Sequence, residues 1–205
     1  MPNLCQAPEK TCYFLRRNDK LLKNAIIQQT SKIKGLRGFE RKCKNMPNKI
    51  KVLMVCHGNI CRSPMAEFVL KDMVKKLNIE DQFYIASAAT STEEIYRGIG
   101  NPVYPPARAE LAKHGISCEG KFAVQLQASD YDKYDYLIGM DNANIRNIQR
   151  MTGHKGGKIK MLLQYAGMEK EVADPWYTGN FSETYNDIVK GCGAFLDFLR
   201  NEKLI

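Results

Sequence analysis

The chain has 205 residues, 44% of them hydrophobic, and 31 Lys and Arg against 22 Asp and Glu give it a formal net charge of +9. That length suits one domain with a buried core, and no apolar run approaches the roughly 20 residues of a membrane-spanning helix. The charge invites nucleic-acid binding, but its distribution argues against it: residues 1–48 hold 11 Lys and Arg against 3 Asp and Glu, whereas residues 49–205 hold 20 against 19.

Seven cysteines, at positions 5, 12, 43, 56, 61, 118 and 192, are odd in number and irregular in spacing, and no C-x-x-C pair occurs. A zinc site is therefore not expected. Free thiols in a reducing cytoplasm are, and no signal-peptide hydrophobic region follows the start. Residues 1–45 read as a basic extension. Leu21 to Ile27 has the pattern of a short amphipathic helix, and the scarcity of acids resembles a targeting segment or a surface for anions. Yet Met46-Pro47-Asn48 repeats Met1-Pro2-Asn3 just before the first strand. The expected division is thus a poorly ordered or non-native extension over 1–45 and a functional domain over 46–205.

From Lys49 the chain alternates strand and helix. Lys49–Val55 is an apolar, β-branched strand. It runs into Val55-Cys56-His57-Gly58-Asn59-Ile60-Cys61-Arg62-Ser63-Pro64, and a helix leads out from Pro64, suited to the first helical position, to about Leu77. A cysteine followed six positions later by an arginine, with Gly and Asn between, suits binding and attacking a phosphate. Backbone N–H groups turn inward, and the following helix aims its positive end at the same place. Gly58 and Asn59 tolerate the positive φ that such a loop needs.

Gln82–Ala88 is a second strand, and Ala89–Val103 a long loop with Gly98, Gly100 and Pro102. Tyr104–His114 is a helix with Pro105 and Pro106 in its first turn and Gly115 as its stop. Tyr136–Gly139 is a buried strand, Asp141 or Asn142 caps a helix to about Met151, and Lys158–Leu163 is the last strand. Ser182 starts a final helix with Ile188, Cys192, Phe195 and Leu199 on its inner face. The expected fold is α/β: a single three-layer domain, a four-stranded parallel sheet with helices on both faces, flavodoxin-like, with the phosphate-binding loop after the first strand. Ligands of such sheets bind at the carboxyl ends of strands near a switch in strand order, where the Cys56 loop falls.

The string V-C-x-G-N-x-C-R-S-P between a strand and a helix is far beyond chance. With Ser87-Ala88-Ala89-Thr90, Gly100-Asn101-Pro102, Met140-Asp141 followed by Asn144, and Asp174-Pro175-Trp176-Tyr177, the chain from about Lys49 onward resembles the low-molecular-weight protein tyrosine phosphatases. Residues 1–45 have no counterpart in the usual family pattern. The resemblance implies hydrolysis of phosphotyrosine in protein substrates through a phosphocysteine intermediate, with no metal or cofactor. Phosphate-like anions would bind; no nucleic-acid partner and no membrane span are expected.

A phosphate monoester dianion needs its equatorial oxygens neutralised, a soft nucleophile in line, and a proton for the departing oxygen. Cys56 is the expected nucleophile, its thiolate favoured by loop amides, helix end and Arg62. Arg62 has the planar fork that holds two phosphoryl oxygens at once. His57, Gly58, Asn59, Ile60, Cys61 and Ser63 complete the phosphate-binding loop, with His57 a loop-shape or rim residue. By resemblance, Ser63 bonds the cysteine sulfur and helps it leave, and Asn59, Ser63 and Ser87 support the loop. Asp174 resembles the family's general acid, which later serves as base for the attacking water; alone, an Asp before Pro would read as a turn residue. Trp176 and Tyr177 would flank a slot for the phenyl ring, and Tyr96 is the candidate aromatic across from them or an exposed loop tyrosine. Cys61 has two compatible readings: a small buried hydrophobe, or a redox partner that captures oxidised Cys56.

Two features depart from the family pattern. Many relatives carry a His-x-Ala-Arg block whose His supports the catalytic loop, and here the stretch is Lys121-Phe122-Ala123-Val124; Asn59 and Ser87 must hold the loop with other help. The Thr92–Gly100 loop is also longer than in many relatives. Three alternatives share the loop. An arsenate reductase coupled to thioredoxin needs a relay of further cysteines, of which that region offers only Cys118. A protein arginine phosphatase typically has Thr where this chain has Ile60. A catalytically dead phosphopeptide-binding module is opposed by intact Cys56, Arg62 and Asp174.

Overall fold

The computed structural model describes residues 49–154 and 156–205. The expected extension over 1–45, with its amphipathic stretch, lies outside the described residues, which belong to one compact unit, Lys49–Ile205.

Four strands form one parallel sheet in the order β2-β1-β5-β6: β1 is Ile50–Cys56, β2 Phe83–Ala89, β5 Tyr136–Gly139 and β6 Ile159–Met161. Register is in step through the centre, with Val52 opposite both Ile85 and Tyr136, and Cys56 opposite Ala89. The apolar run of β1 is buried on both sides, as parallel strands under helices require. Val52 and Met54 face a core shared with α1 (Arg62–Lys76), α2 (Pro105–Lys113) and α6 (Phe181–Asn201). Leu53 and Val55 face the opposite core with Leu137 and Ile159, closed by Ile148 of α4 (Asn142–Thr152) and by Leu126. The three expected layers result. Because β1 lies between β2 and β5, the chain reverses direction across the sheet beside it, which opens a crevice at the carboxyl ends of β1 and β5.

Several boundaries differ from the sequence reading, each for a local reason. The first helix begins at Arg62, so Pro64 is its third residue; its missing N–H is one of the donors a helix start leaves unbonded anyway. The last strand ends at Met161, because Leu162–Ala166 winds into a 3₁₀ segment stopped by Gly167 at φ 68°. The last helix starts at Phe181, capped by Asn180, whose side chain accepts from the Glu183 N–H. The 89–103 loop contains a hairpin, β3 (Ile95–Tyr96) with β4 (Ile99–Gly100), whose turn residues Arg97 and Gly98 have φ of 50° and 81°. Two positive φ angles make the turn whose twist matches its strands. Single-turn helices α3 (Asp130–Lys133) and α5 (Pro175–Thr178) were too short to carry a periodic signal. Asp174, read as a turn residue by composition, is the cap of α5: its side chain accepts from the Trp176 N–H.

Candidate active site

Cys56 closes β1 and Arg62 opens α1, so five residues make the whole turn between strand and helix. No side chain caps α1 at Cys61, which leaves the first-turn N–H groups to face the loop. Asn59 takes the left-handed conformation, φ 58°. Gly58 does not; its value is space, since a Cβ there would come within 3.0 Å of Cγ of Glu94. The Cys56 sulfur lies 3.0 Å from Ser63 Oγ and receives the Asn59 N–H at 3.3 Å.

Behind the loop runs a buried polar chain. Asn59 Nδ2 donates to Ser63 Oγ (2.9 Å) and to Ser87 Oγ (2.8 Å), and its Oδ1 accepts from the Val124 N–H (3.0 Å). Ser87 Oγ donates to Glu67, which also holds Lys71 and Lys121; Lys121 Nζ is 3.0 Å from Glu67 and donates to the Ser87 carbonyl at 3.0 Å. Asn59, Ser63 and Ser87, the residues expected to support the loop, are thus bonded to one another. Glu67 and Lys121 extend this set of contacts from below Ser87. A buried network is worth having only when every member is satisfied, and this one is.

Arg62 is 4% exposed and spans two carboxylates. Nη1 donates to Asp141 at 2.6 Å and Nη2 to Asp174 at 2.5 Å. Burial pulls its pKa down, but Cys56, Asp174 and Asp141 outweigh burial and hold the guanidinium above its ordinary value. Asp141 was legible only as the cap of α4, a role it fills by accepting from the Asn144 N–H at 2.6 Å. One oxygen for capping left the other for Arg62, and the capping signal hid the second use. Burial, then Cys56 and Asp174, push the Cys61 thiol up to about 12.

These groups meet in one cleft of about 390 Å³. Cys56, Arg62 and Asp174 line it, as do His57, Gly58, Ile60 and Cys61, with Trp176 and Tyr177 at its mouth. Trp176 rests on Tyr104, ring centres 5.3 Å apart, and Tyr104 on Phe181. Asn59, Ser63 and Ser87 stand behind the loop and do not line it. Tyr96 does not line it either. It is 73% exposed and Arg97 lies over its ring; the hairpin turn carries it away, and Glu93 and Glu94 form that wall instead. Sequence reasoning missed those two acids, since a loop carboxylate gives no signal of its own. Among the described residues no three His, Cys, Asp or Glu side chains converge as metal ligands.

The model of the low molecular weight phosphotyrosine protein phosphatases matches residues 51–204. The chain belongs to that family. It is 40% identical to the low molecular weight protein-tyrosine-phosphatase YfkJ of Bacillus subtilis, over 75% of this chain and 98% of the relative. The crystal structure of YfkJ superposes with a TM-score of 0.70, covering 76% of this chain and 97% of that one. The family phosphatase SP-PTP of Streptococcus pyogenes, also 40% identical, gives 0.64 over 73% and 93%. A Drosophila arginine phosphatase, DARP, 30% identical, gives 0.65 over 73% and 97%. The flavodoxin-like α/β architecture is thus common to the family and this chain.

Proposed function

We propose that the protein is a protein tyrosine phosphatase, a phosphoric monoester hydrolase that works through a phosphocysteine intermediate. One observation carries the reading. A thiol that receives the Asn59 N–H, a buried guanidinium and a carboxylate share a single cleft with an aromatic mouth. In the first step the Cys56 sulfur attacks phosphorus in line and the bond from phosphorus to the tyrosine oxygen breaks. Asp174 gives its proton to the departing phenolate. Arg62, oriented by Asp141, and the loop amides hold the three equatorial oxygens. In the second step water attacks phosphorus, Asp174 takes its proton, and the Cys56 thiolate leaves with a hydrogen bond from Ser63. Trp176 and Tyr177 grip the phenyl ring. Cys61 is a candidate resolving thiol: attack on a Cys56 sulfenic acid would give a disulfide and water. A cytoplasmic setting keeps both thiols reduced. Among the described residues no helix is long and apolar enough to cross a membrane.

The test is phosphate release from a phosphotyrosine peptide and from a phosphoarginine peptide, by wild type and Cys56→Ser. Release from phosphotyrosine by the wild type alone is expected. Near-wild-type turnover by Cys56→Ser refutes the mechanism, and a preference for phosphoarginine refutes the substrate.

A further inference from the structure

We infer that the rim of the cleft selects phosphotyrosine sites flanked by lysine or arginine, through Glu93 and Glu94; this rests on the phosphotyrosine reading above. The cleft is meant for a dianion, yet among the described residues Arg62 is the only lysine or arginine lining it, against four carboxylates: Glu93, Glu94, Asp141 and Asp174. Asp141 and Asp174 are paired with Arg62. The other two are not spoken for in that way. Among the described residues neither Glu93 nor Glu94 forms an ion pair with a lysine or arginine.

Both acids are instead held in place by the loop. Glu93 Oε2 bonds Nε2 of His57 at 2.9 Å, with the Glu93 side chain 72% exposed. Glu94 accepts from Asn101 Nδ2 at 2.7 Å, while its backbone carbonyl accepts from the Asn101 N–H at 2.8 Å. Its Cγ lies against Gly58, at the lip of the phosphate loop. Residues 49–205 are nearly neutral, with 20 Lys and Arg against 19 Asp and Glu, so this negative mouth is a local feature and not the colour of the whole surface. Across the opening, Trp176 is 59% and Tyr177 86% exposed, and aromatic faces attract cations as well as rings.

A phosphotyrosine whose phosphate reaches Cys56 must lay its neighbouring residues over this rim. Basic neighbours meet two fixed carboxylates and two aromatic faces; acidic neighbours meet repulsion. Exposed charge pairs are each modest. Two attractions on one substrate set against two repulsions on the other give a preference of about tenfold in kcat/KM, one that salt screens.

The experiment uses the full chain and three phosphotyrosine peptides of equal length, with lysine and arginine, with alanine and serine, or with aspartate and glutamate as neighbours. The wild type should favour the basic over the acidic peptide about tenfold at low salt, and less at about 0.5 M salt. Glu93→Gln with Glu94→Gln keeps acceptors for His57 and Asn101 while removing both charges, and should compress the ratio to about two- to threefold. Because the ratio is internal to each enzyme, a general loss of activity does not alter it. Equal rates on all peptides, or a preference unchanged in the double variant, overturn the inference and leave the phosphatase reading standing. Hydrolysis of none of the three overturns both.

Discussion

Lys121→Met keeps most of a lysine's stem and removes its charge from beneath the catalytic loop. The Lys121 ammonium lies 3.0 Å from Glu67, whose side chain is only 5% exposed. Breaking a buried ion pair by deleting one partner costs about 3–5 kcal/mol when the other is left alone. Here Lys71, 42% exposed, still holds the other oxygen of Glu67, so the expected loss is smaller, about 2 kcal/mol. For a domain of this size that is a fall in Tm of about 4–8 °C, measured by circular dichroism on heating. Turnover should fall as well, because Ser87 loses the lysine from its carbonyl and Ser87 positions Asn59. The cause is tested by adding Glu67→Gln, which removes the stranded charge. The double variant should be more stable than the sum of the two single losses allows. A Lys121→Met protein within about 0.5 kcal/mol of wild type, or strictly additive losses in the pair, would refute the view that Lys121 compensates a buried carboxylate.

Asp174→Ala should slow hydrolysis most for aryl phosphates with poor leaving groups; equal slowing across a leaving-group series would remove Asp174 as the acid. Gly100→Ala should disable the enzyme by displacement rather than chemistry. A Cβ there would meet the Ala123 carbonyl oxygen at 1.9 Å, in the backbone that also delivers the Val124 N–H to Asn59. Such overpacking costs about 1–3 kcal/mol or more, and a normal melting curve with normal turnover would contradict it. Cys61, pushed up to about 12, should resist iodoacetamide in the folded enzyme at neutral pH. Peptide mapping that finds it modified as fast as a small free thiol would count against the buried placement.

The sheet was legible because its signals are local. Val52 to Cys56 alternates between two apolar cores without a polar break, and Tyr136–Gly139 is short, apolar and bounded by a cap residue. The phosphate loop was legible because its residue types are contiguous. Glu67 and Lys121 were not: each reads as an ordinary surface charge, and 54 positions separate them until the fold brings them together over Ser87. An aromatic in a long loop near the site reads equally as a slot wall or as an exposed tyrosine, and Tyr96 is the exposed one, 73% accessible. What decides its direction is the pair of positive φ angles at Arg97 and Gly98, which turns the chain. Glu93 and Glu94 fell outside the reading because a carboxylate in a loop looks like any other surface charge.

The bridging of Arg62 has a consequence for turnover. Both of its forked nitrogens donate to carboxylates, each through one of its two N–H groups, so an incoming phosphoryl group would share the guanidinium with anions already beside it. Asp141 and Asp174 hold the guanidinium plane at its two nitrogens. The affinity for phosphate is then a difference between two anions competing for one cation. It would then be smaller than the same guanidinium would give with no carboxylate beside it.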